Sequence, residues 1–202
     1  MHLADGILNL PTLIGSAAGA AAGLAIGFRQ LTPKTLPSAA LFAAVFFIVG
    51  TLHVPIGIGS VHLILNGLIG LLLGWLAFPV IFVALVLQAL LFSFGGFAVL
   101  GANLLLLAAP AVVAHYALRS TIVESLHSQR RLMLLGLCAA TIGIGGASII
   151  AMTMLWSTGQ QELLNLVVLF GVAQLPVWLV DATISALVVA ALGRTLPSVF
   201  QK

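Results

Sequence analysis

The chain is a succession of long apolar runs broken by short groups of polar, glycine and proline residues. Apolar and polar positions do not alternate along these runs, so the dyad pattern of a membrane strand is absent. A segment that must satisfy its own backbone in lipid is then a helix. Runs near 10–28, 37–53, 61–77, 79–94, 101–119, 132–156 and 164–192 predict an all-α membrane bundle of seven spans, close to the ~20 residues a crossing needs. The third and fourth spans meet at a tight turn, Ala77-Phe78-Pro79, and the fourth stops before Phe94-Gly95-Gly96. That fourth span is short enough to end partway across the bilayer. Val54 to His62, which leads into the third span, carries Pro55, Gly57 and Gly59. Irregular backbone of this kind is tolerated at depth only where it lines a cavity or packs in protein. The predicted organisation is a single transmembrane domain over 1–202, with an N-terminal segment 1–9, a bundle 10–192 and a tail 193–202.

The few charges orient this bundle. Arg29 and Lys34 lie between the first two spans, Arg119, Arg130 and Arg131 between the fifth and sixth, and Arg194 and Lys202 after the seventh. With seven crossings every basic residue falls on one side, as the positive-inside rule requires. The expectation is an N-terminus outside, a C-terminus in the cytoplasm and residence in a bacterial cytoplasmic membrane. No Lys or Arg precedes the first apolar run, where Asp5 is the sole charge, which argues against a cleaved signal peptide.

Composition removes the soluble alternatives. Hydrophobic residues make up 62% of the chain and charged residues 5%, with a mean hydropathy of +1.28, whereas a soluble domain carries about a quarter charged residues. Seven basic against four acidic residues reflect sidedness rather than nucleic-acid binding. The one cysteine, Cys138, lies in an apolar run and reads as a buried small hydrophobe. No G-x-x-x-x-G-K-[ST], H-E-x-x-H, C-x-x-C or G-x-S-x-G pattern occurs, so the chain has no visible ATP cradle or catalytic set and is not expected to be an enzyme.

Candidate chemistry is concentrated at the start. The α-amine of Met1, the amide nitrogen of His2 and its Nδ1 can close five- and six-membered chelate rings on one ion, leaving one corner of a square plane open. Tetragonal nitrogen ligation suits cations such as Ni²⁺ that displace an amide proton. A histidine from the same side would complete the plane. His62, at the start of the third span, and His53, across the Pro/Gly turn, are rivals, with His62 favoured because a helix start can fix its ring. A histidine within a membrane segment is a functional candidate by default. Asp5 suits either an outer-shell carboxylate for a ligand imidazole or, like Asn9, a cap for the first helix. Ser60 belongs to the turn before His62. Asn103, at the outer end of the fifth span, suits orienting His62 or tying down the N-terminal segment. Gln88 and Asp181 read as helix–helix hydrogen-bonding groups, with pairing to Arg119 a weaker option for Asp181. Gly15, Gly19, Gly23 and Gly27 form a four-residue repeat, a flat ridge that lets another helix approach closely, whether internal or from a partner.

Three motifs together resemble the CbiM/NikM family, the substrate-binding S components of energy-coupling-factor (ECF) transporters for cobalt and nickel. They are Met1-His2-Leu3-Ala4-Asp5-Gly6, Gly59-Ser60-Val61-His62-Leu63, and Phe94-Gly95-Gly96 through Gly101-Ala102-Asn103, in family order across the whole chain. The resemblance implies a seven-helix fold and a square-planar site for Ni²⁺ or Co²⁺ made by Met1, His2 and His62. It makes that ion the transported ligand, with no resident cofactor. The partners it implies are a transmembrane coupling (T) protein and a cytoplasmic ATPase pair, docked partly through the ridge Gly15, Gly19, Gly23 and Gly27. It also allows a small accessory membrane subunit. The chain departs from the nickel members at Ile56-Gly57-Ile58-Gly59-Ser60 and at Leu104-Leu105-Leu106-Leu107, which leaves nickel and cobalt both open. A ligand-free structural or assembly subunit is the competing expectation.

Overall fold

A computed structural model of the chain describes residues 3–51, 54–56, 59–159 and 161–200, with 54–56, 59–61 and 161–173 described by backbone alone. Seven α-helices are present among these residues: α1 (Leu10–Arg29), α2 (Leu36–Thr51), α3 (Asn66–Leu73), α4 (Ala77–Phe92), α5 (Leu100–Glu124), α6 (Gln129–Trp156) and α7 (Gln161–Thr195). Six of the seven predicted spans coincide with a helix to within a few residues. The third does not. Instead of a helix over 61–77, a two-stranded antiparallel hairpin forms, β1 (Val54–Ile56) with β2 (Gly59–Val61), in register Val54↔Val61 and Ile56↔Gly59. Residues 62–65 follow without regular structure, and α3 begins only at Asn66. At 1.5 Å per residue, eight residues span about 12 Å, well short of the ~30 Å hydrocarbon core.

The reversal after α3 also differs from the predicted place. It falls at Gly74, not at Ala77-Phe78-Pro79. Gly74 adopts φ 57° and ψ −128°, a backbone closed to other residues, and a 3-10 turn over Gly74–Leu76 hands the chain to α4. Pro79 then sits in the first turn of α4, where its missing N–H costs nothing. The apolar stretch Asn66–Phe92 is thus two helices, although by length and hydropathy it reads as one 27-residue span.

Close approaches fix the helix directions. Gly101 in α5 lies against Ala17 in α1, and Gly19 against Leu105, so α1 and α5 run in parallel. Gly70 meets the Ala111 backbone and Gly74 the His115 ring, so α3 descends alongside α5. Gly27 meets Pro79 and the Trp75 carbonyl, and Gly23 the Phe78 ring. From there α4 returns toward the end that carries residues 3–9, where the amide of Asp5 donates to the Gly95 carbonyl at 3.1 Å. Helix α6 rises to the same end, because Asn9 Nδ2 donates to the Ser157 carbonyl at 2.8 Å. Gly193 of α7 meets Leu132 near the start of α6, so the two are antiparallel. Arg29, Lys34, Arg119, Arg130, Arg131 and Arg194 consequently sit together at the opposite end, while Lys202 lies outside the described residues.

The glycine ridge of α1 is consumed inside the molecule. Gly19, Gly23 and Gly27 face Leu105, Phe78 and Pro79, whereas Gly15 has nothing within 4 Å of a built Cβ. Of the two readings of the repeat, the internal one is present at Gly19, Gly23 and Gly27, where α4 and α5 fill the flat surface. The expectation for Cys138 is corrected: it is exposed on the outer face of α6, among Leu134 and Leu137. In lipid an apolar side chain is as well accommodated outward as inward, so an apolar run does not mark burial. The interior is centred on α3, α4 and α5, with Ile69, Ile81, Leu104, Leu106, Leu107, Ala108 and Ala111 all at or below 1% exposure.

Candidate metal centre

Two asparagines on neighbouring helices organise the end of the bundle that carries the N-terminal segment. Asn103, 2% exposed in the first turn of α5, uses its side-chain amide as a strand would use a peptide. Its Oδ1 accepts the Leu3 N–H at 2.8 Å, and its Nδ2 donates to the Leu3 carbonyl at 3.0 Å. Residue 3 is thereby pinned on both sides, and its side chain packs against the cluster of Leu8, Val99, Ala102 and Met154. Of the two roles expected for Asn103, tying down the N-terminal segment is the one present. One turn further along α5, about 6 Å at 1.5 Å per residue, the Leu107 carbonyl accepts Asn66 Nδ2 at 3.0 Å. Asn66 also donates to the Gly143 carbonyl of α6 at 3.1 Å and accepts the Gly67 N–H at 3.0 Å. It thus bolts the start of α3 to α5 and α6.

Asp5 serves the loop after α4 rather than α1. Its carboxylate accepts the Val99 N–H at 3.2 Å. Gly96, at φ +109°, has its Cα against that carboxylate, where a Cβ would strike it. The α1 cap is Asn9, whose Oδ1 accepts the Thr12 N–H at 3.0 Å from an extended backbone. Of the two candidates for that cap, Asn9 takes the role because it stands immediately before Leu10. Among the described residues the Asp5 carboxylate is recorded on backbone, not on an imidazole.

His62 is half-buried and lies in the irregular segment, not in a helix, as expected of it. Its Nδ1 stands 3.0 Å from the Leu63 carbonyl. A carbonyl can only accept, so in the neutral ring Nδ1 carries the proton and Nε2 carries the lone pair. Histidines that ligate metals commonly donate their other ring N–H to a carbonyl in this way. The other expected donors cannot be compared with it: Met1, His2 and His53 lie outside the described residues, as does the side chain of Ser60. Among the described residues no three of His, Cys, Asp and Glu converge on one point.

The polar groups inside the bundle take backbone partners. Gln88 Nε2 donates to the Phe47 carbonyl at 3.4 Å, and Gly50 leaves room for it. This is the helix–helix bond expected. Asp181, fully enclosed in α7, accepts the N–H of Ile64 at 3.2 Å, that of Leu65 at 2.7 Å and Ser185 Oγ at 3.3 Å. Neither a side chain of another helix nor Arg119 is involved; the unwound segment offers amides without helical partners, and those are what the carboxylate meets. Sequence reasoning misses Asn66. Its signal was an amide placed directly before an apolar run and four residues after a histidine.

The family model described as "Cobalt uptake substrate-specific transmembrane region" matches residues 2–199. The chain belongs to the CbiM family. A Haemophilus influenzae protein named for metal transport is 50% identical over 202 residues, covering 100% of this chain and 98% of that one. The fused nickel transport protein NikMN of Rhodobacter capsulatus is 34% identical over 159 residues, which are 75% of this chain and 46% of that protein. The crystal structure of a truncated transition metal transporter superposes with a TM-score of 0.68 at 24% identity, over 98% of this chain and 99% of the other. A second transition metal transporter structure gives the same TM-score over 100% and 95%. Membership in the CbiM family, with apolar helices of membrane-spanning length, makes this a multi-pass membrane component of metal uptake rather than an enzyme.

Proposed function

We propose that this chain is the S component of an ECF-type importer, capturing Ni²⁺ or Co²⁺ between its N-terminus and His62. The plane would comprise the Met1 amine, the His2 amide nitrogen, the His2 Nδ1 and the His62 Nε2. The observation that carries the reading is the pair of clamps on α5. Asn103 holds Leu3, one peptide bond from His2, while Asn66, four residues from His62, is held one turn away. Two segments remote in sequence are brought to one place by side chains whose hydrogen bonds are all to backbone.

The cluster of basic residues at the far end supports an outside N-terminus by the positive-inside rule, and so a site facing away from the cytoplasm in a bacterial inner membrane. A coupling (T) protein, an ATPase pair and, in some assemblies, a small accessory subunit would drive release. The whole of 1–202 then acts as one S-component domain. A ligand-free assembly subunit loses its main support, because three of the four ridge glycines are occupied internally. Capture must expel the His2 amide proton, so affinity rises with pH.

Protein purified with an unextended N-terminus and loaded with Ni²⁺ should hold one ion per chain and show the optical band of a square-planar nitrogen site. Metal-free protein after loading, or an octahedral spectrum, refutes the reading. Asn103→Leu, which removes both bonds to Leu3 at similar volume, should weaken Ni²⁺ binding about tenfold, the lower end for outer-shell changes. Titration calorimetry at an unchanged melting temperature checks this, and unaltered affinity assigns Asn103 to packing alone.

A further inference from the structure

The segment between β2 and α3 is the least regular backbone near the candidate site, and one enclosed carboxylate governs it. Leu65 has φ 50°, left-handed and rare for a side chain of its shape, and its side chain does not cap α3. With neither helix nor strand partners, the amides of Ile64 and Leu65 both donate to Asp181 Oδ2. Ser185, one turn on in α7, orients the other carboxylate oxygen. The carboxylate is 0% exposed and lies five residues after Pro176 within α7. Ile64 is two residues from His62, at most about 7 Å of chain. On the other side of the same segment Asn66 is immobilised by α5 and α6. The backbone that carries His62 is thus held at its C-terminal side to three helices, to α7 through Asp181 and to α5 and α6 through Asn66.

We propose that Asp181 is a positioning residue for metal capture, fixing the His62 imidazole through the amides of Ile64 and Leu65 without touching the ion. The inference rests on the proposed role of His62 as a ligand. One carboxyl oxygen takes both N–H groups while the other accepts Ser185 Oγ. The geometry therefore needs two acceptor oxygens, and asparagine, which can turn its single oxygen to the amides but then meets Ser185 with an NH2 donor, replaces it only in part. A group that acts through His62 has no effect on affinity once His62 is gone, whereas a group that merely holds α7 to α3 has the same effect with or without it.

The test is Ni²⁺ titration of full-length protein with a native N-terminus, carrying Asp181→Asn or Asp181→Ala, each alone and combined with His62→Ala. Asp181→Ala should weaken binding at least tenfold and Asp181→Asn three- to tenfold. Each should have no further effect on the weaker chelate left in the His62→Ala background. Asp181→Asn should also shift the optical band of bound Ni²⁺ in the His62-containing protein only. Equal losses in both backgrounds, or unchanged affinity and spectrum, overturn the positioning role. If the alanine variant does not fold, the asparagine variant decides alone. A parent protein that fails to bind Ni²⁺, or binds it equally without His62, overturns the proposed function instead.

Discussion

His62→Ala lowers Ni²⁺ affinity by about 100-fold or more in the native chain, and has no effect in a chain lengthened by one residue before Met1. A hundredfold loss corresponds to about 2.7 kcal/mol, a reasonable cost for exchanging one imidazole nitrogen for water. The second half of the prediction follows from ring sizes. In the proposed site of the native chain the amine, one amide and the His2 imidazole would supply three nitrogens, so the plane would need a fourth from elsewhere. An added residue makes the histidine third in sequence, and the amine, two amides and the imidazole then fill the plane unaided. The lengthened chain would bind nickel without His62 and be unable to deliver it, so cellular uptake fails although binding persists. Isothermal titration of the four proteins, alongside uptake assays, checks both statements. Continued dependence on His62 in the lengthened chain, or full uptake by it, would exclude the proposed donor set.

Gly70→Ala abolishes the folded protein, whereas Gly15→Ala leaves it unchanged. A Cβ on Gly70 would enter the Ala111 carbonyl, and one on Gly67 the Ala139 carbonyl. In both cases the obstacle is backbone of a neighbouring helix, which has no rotamer to move to. Overpacking ordinarily costs 1–3 kcal/mol, and two helix axes forced apart at the centre of the bundle should exceed about 3 kcal/mol. Gly15 belongs to the more conspicuous sequence repeat, yet a built Cβ there meets nothing within 4 Å. Thermal melts and monodispersity in detergent distinguish the two variants. A Gly70→Ala protein melting with the parent would show that α3 does not pack on α5 as described.

The helices outside 54–76 were legible because lipid demands continuous apolar runs, and a run's length is visible without any partner. Burial was not legible for the same reason. Cys138 and Leu134 face outward while Ala139 and Leu132 face inward, and in a solvent of hydrocarbon nothing in their polarity separates them. The α3 region failed differently. Hydropathy cannot see Gly74 as a reversal or the hairpin before His62 as strands, because both lie within or beside apolar sequence. At the candidate centre, Asn103 was found because an amide at a helix start in lipid needs a partner. Its choice of Leu3, like that of Asp181 for Ile64 and Leu65, depends on which loop the fold delivers, and no local pattern encodes that.

The layer formed by Ile69, Ala108 and Ala111, sealed to 1% exposure or less, lies just beyond the asparagine clamps. Its described side chains are hydrocarbon alone, and an ion entering it would have to shed its water at a cost of at least several kcal/mol. A hydrated ion therefore cannot cross this layer unless α3 and α5 move apart, so the same packing that joins the two helices also closes the way inward.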